Sequence, residues 1–255
     1  MMTEGFFFAV ISVMISLLME RRRKALNIIY LVLEVALFLA LLVFQILSMV
    51  GGYRVYNQEG PYSPYIGAFQ IGLTAVTFVF VLYVFFAHKD KPRSLVDLAP
   101  LYALSILVAD FFFSLSPYPL GGHIGFLCAY ILFFVMRKGH WVEGLVTLVV
   151  GSIALVVFWL IGKLSLDIGL DCFLGATLFC NVVMMWVRYG KKKERHILPL
   201  CIALTLLVLS DGSIAVRAFV TSFPANHIIS MFVWPTYVAA DVILAFAYQY
   251  YKSKA

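Results

Sequence analysis

Long apolar runs, separated by short polar or basic stretches, extend along nearly the whole chain. A helix needs roughly 20 residues to cross the ~30 Å hydrocarbon core of a bilayer, and most of the runs are about that long. Because apolar and polar residues do not alternate within them, the runs predict helices and not the strands of a membrane barrel. Nine spans are expected, at about residues 3–19, 26–50, 65–87, 95–116, 121–136, 142–163, 169–188, 197–221 and 228–250.

Composition supports this pattern. Of the 255 residues, 63% are hydrophobic and only 13% are charged, and the mean hydropathy of +0.98 lies far from that of a soluble domain. The connections are short and contain no Pro/Gly/Ser-rich linker, so residues 1–255 are predicted to form a single polytopic helical membrane domain. We expect an all-α bundle of about nine transmembrane helices, or eight if the first is peripheral.

The basic residues predict an orientation for this bundle. Sixteen of the 19 Lys and Arg residues fall in every second connection. Under the positive-inside rule this places the N-terminus outside and the C-terminus in the cytoplasm, in either a bacterial cytoplasmic membrane or the endoplasmic reticulum. The topology explains the net charge of +6, so no nucleic acid partner is expected.

Ionisable residues inside the spans are the first candidates for function, because each costs at least ~2.5 kcal/mol at mid-membrane. They are Glu34, Asp110, Asp211, Arg217 and Asp241. Counting ~1.5 Å per residue from the predicted helix ends puts Asp110 and Asp211 at one depth, nearer the outer surface, and Asp241 deeper. Two carboxyls at the same level on different helices predict a shared polar site.

Two further patterns belong to this predicted site. Tyr237 and Asp241 are four residues apart and share a helix face, as do Asp110 and Ser114. Pro235 removes a backbone donor just before Tyr237 and is expected to kink that helix. A polar pocket that opens toward the outer leaflet is the simplest arrangement that would satisfy all these groups.

Five short segments between about residues 91 and 248 form a recognisable series. They are KPRSL, beginning with Lys91 and Pro92; Ala109 with Asp110; GGHIGFLCAY, from Gly121 to Tyr130; SDGSIAVRAF, from Ser210 and Asp211 to Phe219; and YVAAD, from Tyr237 to Asp241. In order and spacing, over about residues 91–248, the series resembles the lysoplasmalogenase-like, or YhhN, family of membrane proteins. The chain departs from the family pattern where Ala109 replaces a Gly, Tyr130 a His and Asp241 a Gln.

The resemblance implies a hydrolase that cleaves the vinyl-ether bond of lysoplasmalogens. The products would be a fatty aldehyde and glycerophosphoethanolamine or glycerophosphocholine. Acid–base catalysis would fall to Asp110 and Asp211. The residues expected to bind substrate are Tyr130, Arg217, Tyr237, Asp241, Ser114 and Lys91. The expected partners are a lysophospholipid substrate and membrane lipid, and the reaction would need no metal or other cofactor.

Other classes of protein share some of these sequence features. A proton-coupled transporter or flippase of a lipid or small amphiphile is the main alternative, because intramembrane carboxylates and a Pro-containing helix also suit transport. A catalytically silent lipid-binding protein is the third. A zinc hydrolase is not expected, since the five histidines lie near helix ends on both sides of the membrane.

Overall fold

The computed structural model describes the backbone of residues 2–53, 60–116, 118–162, 165–219 and 223–254. Within these ranges, side chains are described outside residues 2–21, 119, 215–219, 223–224, 226–227 and 230. The described chain is all-α, with no strand in any of these ranges. Its helices are α1 (Met2–Val50), α2 (Ser63–Ala87), α3 (Ala99–Leu115), α4 (Pro119–Met136), α5 (Trp141–Leu160), α6 (Leu166–Lys192), α7 (Leu198–Phe219) and α8 (Phe223–Lys254).

Six of these helices contain a stretch long and apolar enough to cross a membrane, as expected of a multi-pass membrane protein. The apolar parts of the other two, Leu120–Met136 in α4 and Leu198–Ile214 in α7, are shorter. A short 3-10 helix, Leu95–Leu98, precedes α3. Proline lies in the first turn of α2, α3 and α4, where no intrahelical donor is lost. Ser165 caps α6 by accepting a hydrogen bond from the Ile168 amide at 3.3 Å.

The predicted count of nine is not confirmed, because the first two predicted spans lie in one continuous helix. At ~1.5 Å per residue, the 49 residues of α1 extend about 73 Å, more than twice the bilayer core. The basic cluster at residues 21–24 lies within this helix, and Arg and Lys are good helix formers. A break in hydropathy therefore does not end the helix. Residues Arg22–Val50 alone suffice to span a membrane.

The packed core lies where α3, α4, α6, α7 and α8 meet. A second apolar cluster joins α1 and α2 to α3 and α8, so α3 and α8 contribute to both. Helix α5 packs against α6, and Gly151 is its one buried residue. The exposed apolar side chains of α5 are those expected to face lipid.

Small residues let α2, α3 and α4 approach closely in the middle of the bundle. A Cβ atom added to Gly125 of α4 would lie 2.8 Å from the Ala109 Cβ and 2.9 Å from the Ser105 carbonyl oxygen of α3. One added to Gly67 of α2 would lie 2.8 Å from the Ser114 carbonyl oxygen. Such close approach is typical of membrane helices, and it buries the stretch of α3 that carries Asp110.

The two ends of the bundle differ in charge. We call the end with Arg137, Lys138, Arg188 and Lys252 the basic end. There, Lys252 of α8 forms an ion pair with Asp97 of the 3-10 helix at 2.7 Å. At the opposite end, His123 of α4 lies 3.0 Å from the Asp171 carboxylate of α6. The orientation predicted from the basic residues remains a prediction.

Candidate active site

Asp110 of α3 and Tyr237 of α8 form a buried hydrogen-bonded pair in the middle of the bundle. The Tyr237 hydroxyl donates to the Asp110 carboxylate at 2.9 Å. The two residues are 5% and 4% exposed. Thr74 of α2 also lies close to this carboxyl, and its hydroxyl donates to the Ile71 carbonyl oxygen at 3.2 Å. The predicted candidates Asp110 and Tyr237 are thus brought together from distant parts of the chain.

Asp211 of α7 and Tyr130 of α4 form a second pair of the same kind. The Tyr130 hydroxyl donates to the Asp211 carboxylate at 2.8 Å. Tyr130 is 1% exposed, whereas Asp211 is only half-buried. The preceding Ser210 donates to the Val233 carbonyl oxygen of α8 at 3.2 Å. This hydrogen bond fixes α7 against α8 beside Pro235, where the helix lacks a backbone donor.

The two pairs flank one aromatic ring, and we call their four residues the Asp–Tyr layer (Asp110, Tyr237, Asp211 and Tyr130). The Phe126 ring lies between them, with its centroid 6.2 Å from that of Tyr130 and 6.3 Å from that of Tyr237. The Asp211 carboxyl is also near enough to the Asp110 carboxyl to interact with it electrostatically. The two pairs thus lie on either side of one aromatic ring, and the equal depth of Asp110 and Asp211 stays a prediction.

A cavity of about 270 Å³ enters the bundle from the basic end. Arg137, Lys138, Arg188 and His196 line it near the surface, and side chains of α2, α3 and α8 line it further in. This is the opposite end from the one at which we expected a pocket to open. The sequence gives the depth of a polar group, but which end is open depends on how the helices pack around it.

The inner wall of the cavity includes Asp241 of α8, together with Thr74 of α2 and Ile106 of α3. Tyr237 and Asp110 are each four residues, or about one helical turn, beyond Asp241 and Ile106. Thr74 links the two regions, because it lines the cavity and lies beside the Asp110 carboxyl. The cavity therefore ends about one turn short of the Asp–Tyr layer.

Glu34 is a further buried carboxyl next to this cavity. It accepts a hydrogen bond from the Thr77 hydroxyl at 2.9 Å, and Thr77 lies 3.1 Å from the Tyr30 hydroxyl. Thr77 also lines the cavity. Asp110 and then Glu34 are the strongest charged neighbours of Asp241. Three carboxyls on three helices thus surround the inner end of the cavity.

The remaining predicted site residues are placed differently. Ser114 donates to the Gln70 side chain of α2 at 2.8 Å, away from the Asp110 carboxyl. Lys91 is exposed in the connection between α2 and the 3-10 helix and does not line the cavity. Arg217 lies in α7, and its side chain is outside the described residues.

Several polar residues around the cavity were not predicted from the sequence. The Tyr102 and Tyr248 side chains line it. Arg137 forms an ion pair with Glu143 and donates through Nε to Asn181 at 2.6 Å. Tyrosine is common in membrane helices, and these residues belong to no motif. Only the packing of α3, α4 and α8 brings Tyr102, Arg137 and Tyr248 to one cavity.

The sequence model of the YhhN family matches residues 69–248. The chain belongs to the YhhN family. The matched region begins in α2, earlier than the resemblance at residue 91 suggested, and it includes Thr74 and Thr77 of the cavity wall. No curated protein and no solved structure matched the chain.

Proposed function

We propose that this YhhN-family chain hydrolyses the vinyl-ether bond of a lysoplasmalogen inside the membrane. The observation that carries the proposal is the cavity that ends on Asp241, one helical turn from the Asp–Tyr layer. It offers buried carboxyl groups and hydroxyls in the interior of the bundle. The products would be a fatty aldehyde and glycerophosphoethanolamine or glycerophosphocholine.

The reaction needs a proton donor and a water molecule. A carboxylic acid transfers its proton to the β-carbon of the vinyl ether, which forms a C–H bond and leaves an oxocarbenium ion. Water adds to the α-carbon of that ion and gives up a proton to a carboxylate. The hemiacetal then collapses: its hydroxyl gives its proton to the first carboxyl, now a carboxylate, the aldehyde C=O forms, and the glycerol oxygen leaves with the proton that the second carboxyl took from water. One acid, one base and one water complete the atom balance.

Asp110 and Asp211 are the proposed acid and base. A carboxylate near the reacting carbon also stabilises the positive charge that develops there, more strongly than it would in water. Tyr237 and Tyr130 each hold one carboxylate oxygen and leave the other oxygen available for chemistry. Asp241, at the cavity wall, is proposed to pass protons between the cavity and Asp110.

The size of the cavity suits the polar part of such a substrate. About 270 Å³ lies near the lower end of the ~300–1,000 Å³ typical of small-molecule sites. We propose that the glycerophospho-headgroup occupies this volume and that the long apolar chain extends between helices toward the lipid.

The test is aldehyde release from a lysoplasmalogen by the purified protein in detergent. Asp110→Asn and Asp211→Asn should each lose activity while unfolding at the same temperature as the unmutated protein. Asp90→Asn is the matched control, because Asp90 is an exposed carboxyl outside the bundle. Absence of aldehyde from the folded, unmutated protein with either headgroup would exclude this function.

Proton-coupled transport is the second candidate, and the buried Glu34 favours it. This carboxyl reaches the cavity wall through Thr77 but lies outside the region matched by the family. A transporter predicts that Glu34→Gln abolishes pH-driven movement of a labelled lysolipid across liposomes. A hydrolase predicts that the same variant keeps most of its aldehyde release.

A further inference from the structure

The surface opening of the cavity carries two exposed cations that the proposed chemistry does not use. Lys138 follows the last turn of α4, and Arg188 lies near the end of α6; both line the cavity and both are exposed. Arg188 also donates to the Arg137 carbonyl oxygen at 3.5 Å, which places it against the end of α4. Two positive charges from different helices therefore stand at one opening.

The neighbouring charges have partners in the protein. Arg137 is paired with Glu143 and hydrogen-bonded to Asn181, and His196 lies 3.0 Å from the Glu194 carboxylate. These contacts fix the rim and neutralise part of its charge. In the described part of the chain, no carboxylate is recorded within ion-pair distance of Lys138 or Arg188. The positive charges of Lys138 and Arg188 can therefore attract an anion to the opening.

Two buried hydroxyls lie further inside. Tyr102 of α3 and Tyr248 of α8 line the cavity and are 8% and 5% exposed. Neither hydroxyl has a hydrogen-bond partner among the described residues. A buried hydroxyl that lacks a partner is costly, so the pair indicates a ligand whose oxygen atoms would complete the hydrogen bonds.

We propose that this opening binds the phosphate group of a glycerophosphodiester headgroup. Arg188 and Lys138 bind the phosphate oxygens, because a guanidinium and an ammonium form charge-assisted hydrogen bonds with such anions. Tyr102 and Tyr248 donate to oxygens of the glycerol part, and Asp241 lies beyond them. The choice of a glycerophospho-ligand rests on the proposed function, whereas the anion site rests on the opening itself.

The site implies a direction of entry. The headgroup enters from the basic end, which the positive-inside rule predicts to be cytoplasmic. The vinyl-ether end of a lysolipid's chain then points toward Asp241 and the Asp–Tyr layer, and the rest of the chain extends between helices toward the lipid. A free glycerophosphodiester carries the same phosphate group as a lysolipid. An experiment must therefore show which of the two molecules binds.

Binding is measured with ligands that cannot be hydrolysed by this chemistry. The probes are an alkyl-ether lysophosphoethanolamine, which lacks the vinyl bond, and free glycerophosphoethanolamine, each radiolabelled and followed by equilibrium dialysis in a nonionic detergent. Arg188→Gln and Lys138→Gln should each weaken binding of the lysolipid about tenfold, and raised salt should weaken binding to the unmutated protein. Tyr102→Phe and Tyr248→Phe should weaken it by several fold without loss of thermal stability.

Matched controls distinguish binding at this site from a general effect of losing a positive charge or an aromatic hydroxyl. Arg195→Gln removes an exposed cation at the same end, and Tyr250→Phe removes an exposed hydroxyl of α8; neither residue lines the cavity. Both variants should bind as the unmutated protein does. An alkylglycerol without phosphate should bind Arg188→Gln and the unmutated protein equally.

The outcomes of these binding measurements can be interpreted independently of the aldehyde assay. Headgroup-dependent binding that is lost in Arg188→Gln supports the site even if no aldehyde is ever released. Binding of the lysolipid alone then identifies a lipid as the source, and binding of both probes identifies the phosphodiester as sufficient. Equal binding by all variants, or no binding of either probe to the unmutated protein, overturns the proposal.

Discussion

The two aspartate–tyrosine pairs have the same chemistry but different surroundings. Asp110 and Tyr237 are both buried, and each is one helical turn from a residue of the cavity wall. Asp211 is half-buried, and Leu207, one turn before it on α7, is fully buried in the apolar core. Both members of the first pair therefore adjoin the cavity, whereas in the second pair only Tyr130 does, about one turn from Phe133 of the cavity wall, and apolar packing separates Asp211 from the cavity along α7.

Because their burial differs, the two similar carboxyls depend on protein hydrogen-bond donors to different degrees. The Asp110 carboxyl depends on protein hydroxyls for its hydrogen bonds, because little water reaches it. Asp211 is only half-buried as a residue, so we expect its carboxyl to exchange the Tyr130 hydroxyl for another partner more readily. Burial, and not the type of residue, decides how much each hydrogen bond contributes to stability.

The largest difference expected between the two pairs is in the activity lost when each aspartate is replaced. Asp110→Asn should reduce aldehyde release by about 10²–10⁴-fold, the usual contribution of a positioned acid or base. Asp211→Asn should also lose activity, but by a smaller factor, because this carboxyl lies further from the cavity. Initial rates at saturating substrate, normalised to folded protein, measure the two variants. Equal losses would show that both pairs contact the substrate alike.

A smaller effect is expected on stability. Tyr237→Phe leaves a buried carboxyl without its donor and should lower the free energy of unfolding by about 1–3 kcal/mol. Tyr130→Phe should cost less, since the half-buried Asp211 can find another partner. Thermal unfolding of the two purified variants in one detergent makes the comparison. A greater loss in Tyr130→Phe would contradict the account based on burial.

The smallest expected effects come from two glycines that flank the pairs. Gly125→Ala would press a methyl group against Ala109 and the Ser105 carbonyl oxygen, next to Asp110. Overpacking of this kind costs about 1–3 kcal/mol, and we expect the lower part of this range. Gly212, beside Asp211, has open space around it. Gly212→Ala should therefore raise helix stability by up to about 1 kcal/mol.

The same thermal unfolding assay tests both glycine variants. Gly125→Ala should also reduce aldehyde release, because it moves α4 away from α3 at Asp110. Gly212→Ala should leave the rate unchanged. Destabilisation by Gly212→Ala would mean that α7 is more tightly packed than the structure shows.

Several features of the fold and site followed from the sequence because they depend on single helices. Hydropathy located the apolar helices and singled out Asp110 and Asp211 as ionisable residues inside them; the equal level of these two carboxyls stays a prediction. Hydropathy did not show that α1 is continuous, because a basic cluster separates two apolar runs without breaking the helix. The family pattern began at Lys91, and the family match extends the region back into α2.

Most individual contacts between helices were not predicted. Ser114 shares a face with Asp110, but its partner is Gln70 of α2. The cavity opens at the basic end because of side chains from several helices, none of which belongs to a recognisable motif. Periodicity within one helix cannot specify which neighbouring helix supplies a partner.

The polar contacts of the last turns of α8 have a consequence for ligand binding. Lys252 is paired with Asp97, and Gln249 exchanges two hydrogen bonds with Asn27 of α1, at 2.9 and 3.2 Å. These contacts hold one side of the opening in a fixed shape before any ligand arrives. A ligand that enters past a preformed rim loses less conformational entropy on binding. On this side of the opening, selection between ligands would therefore act by shape and size and not by helix movement.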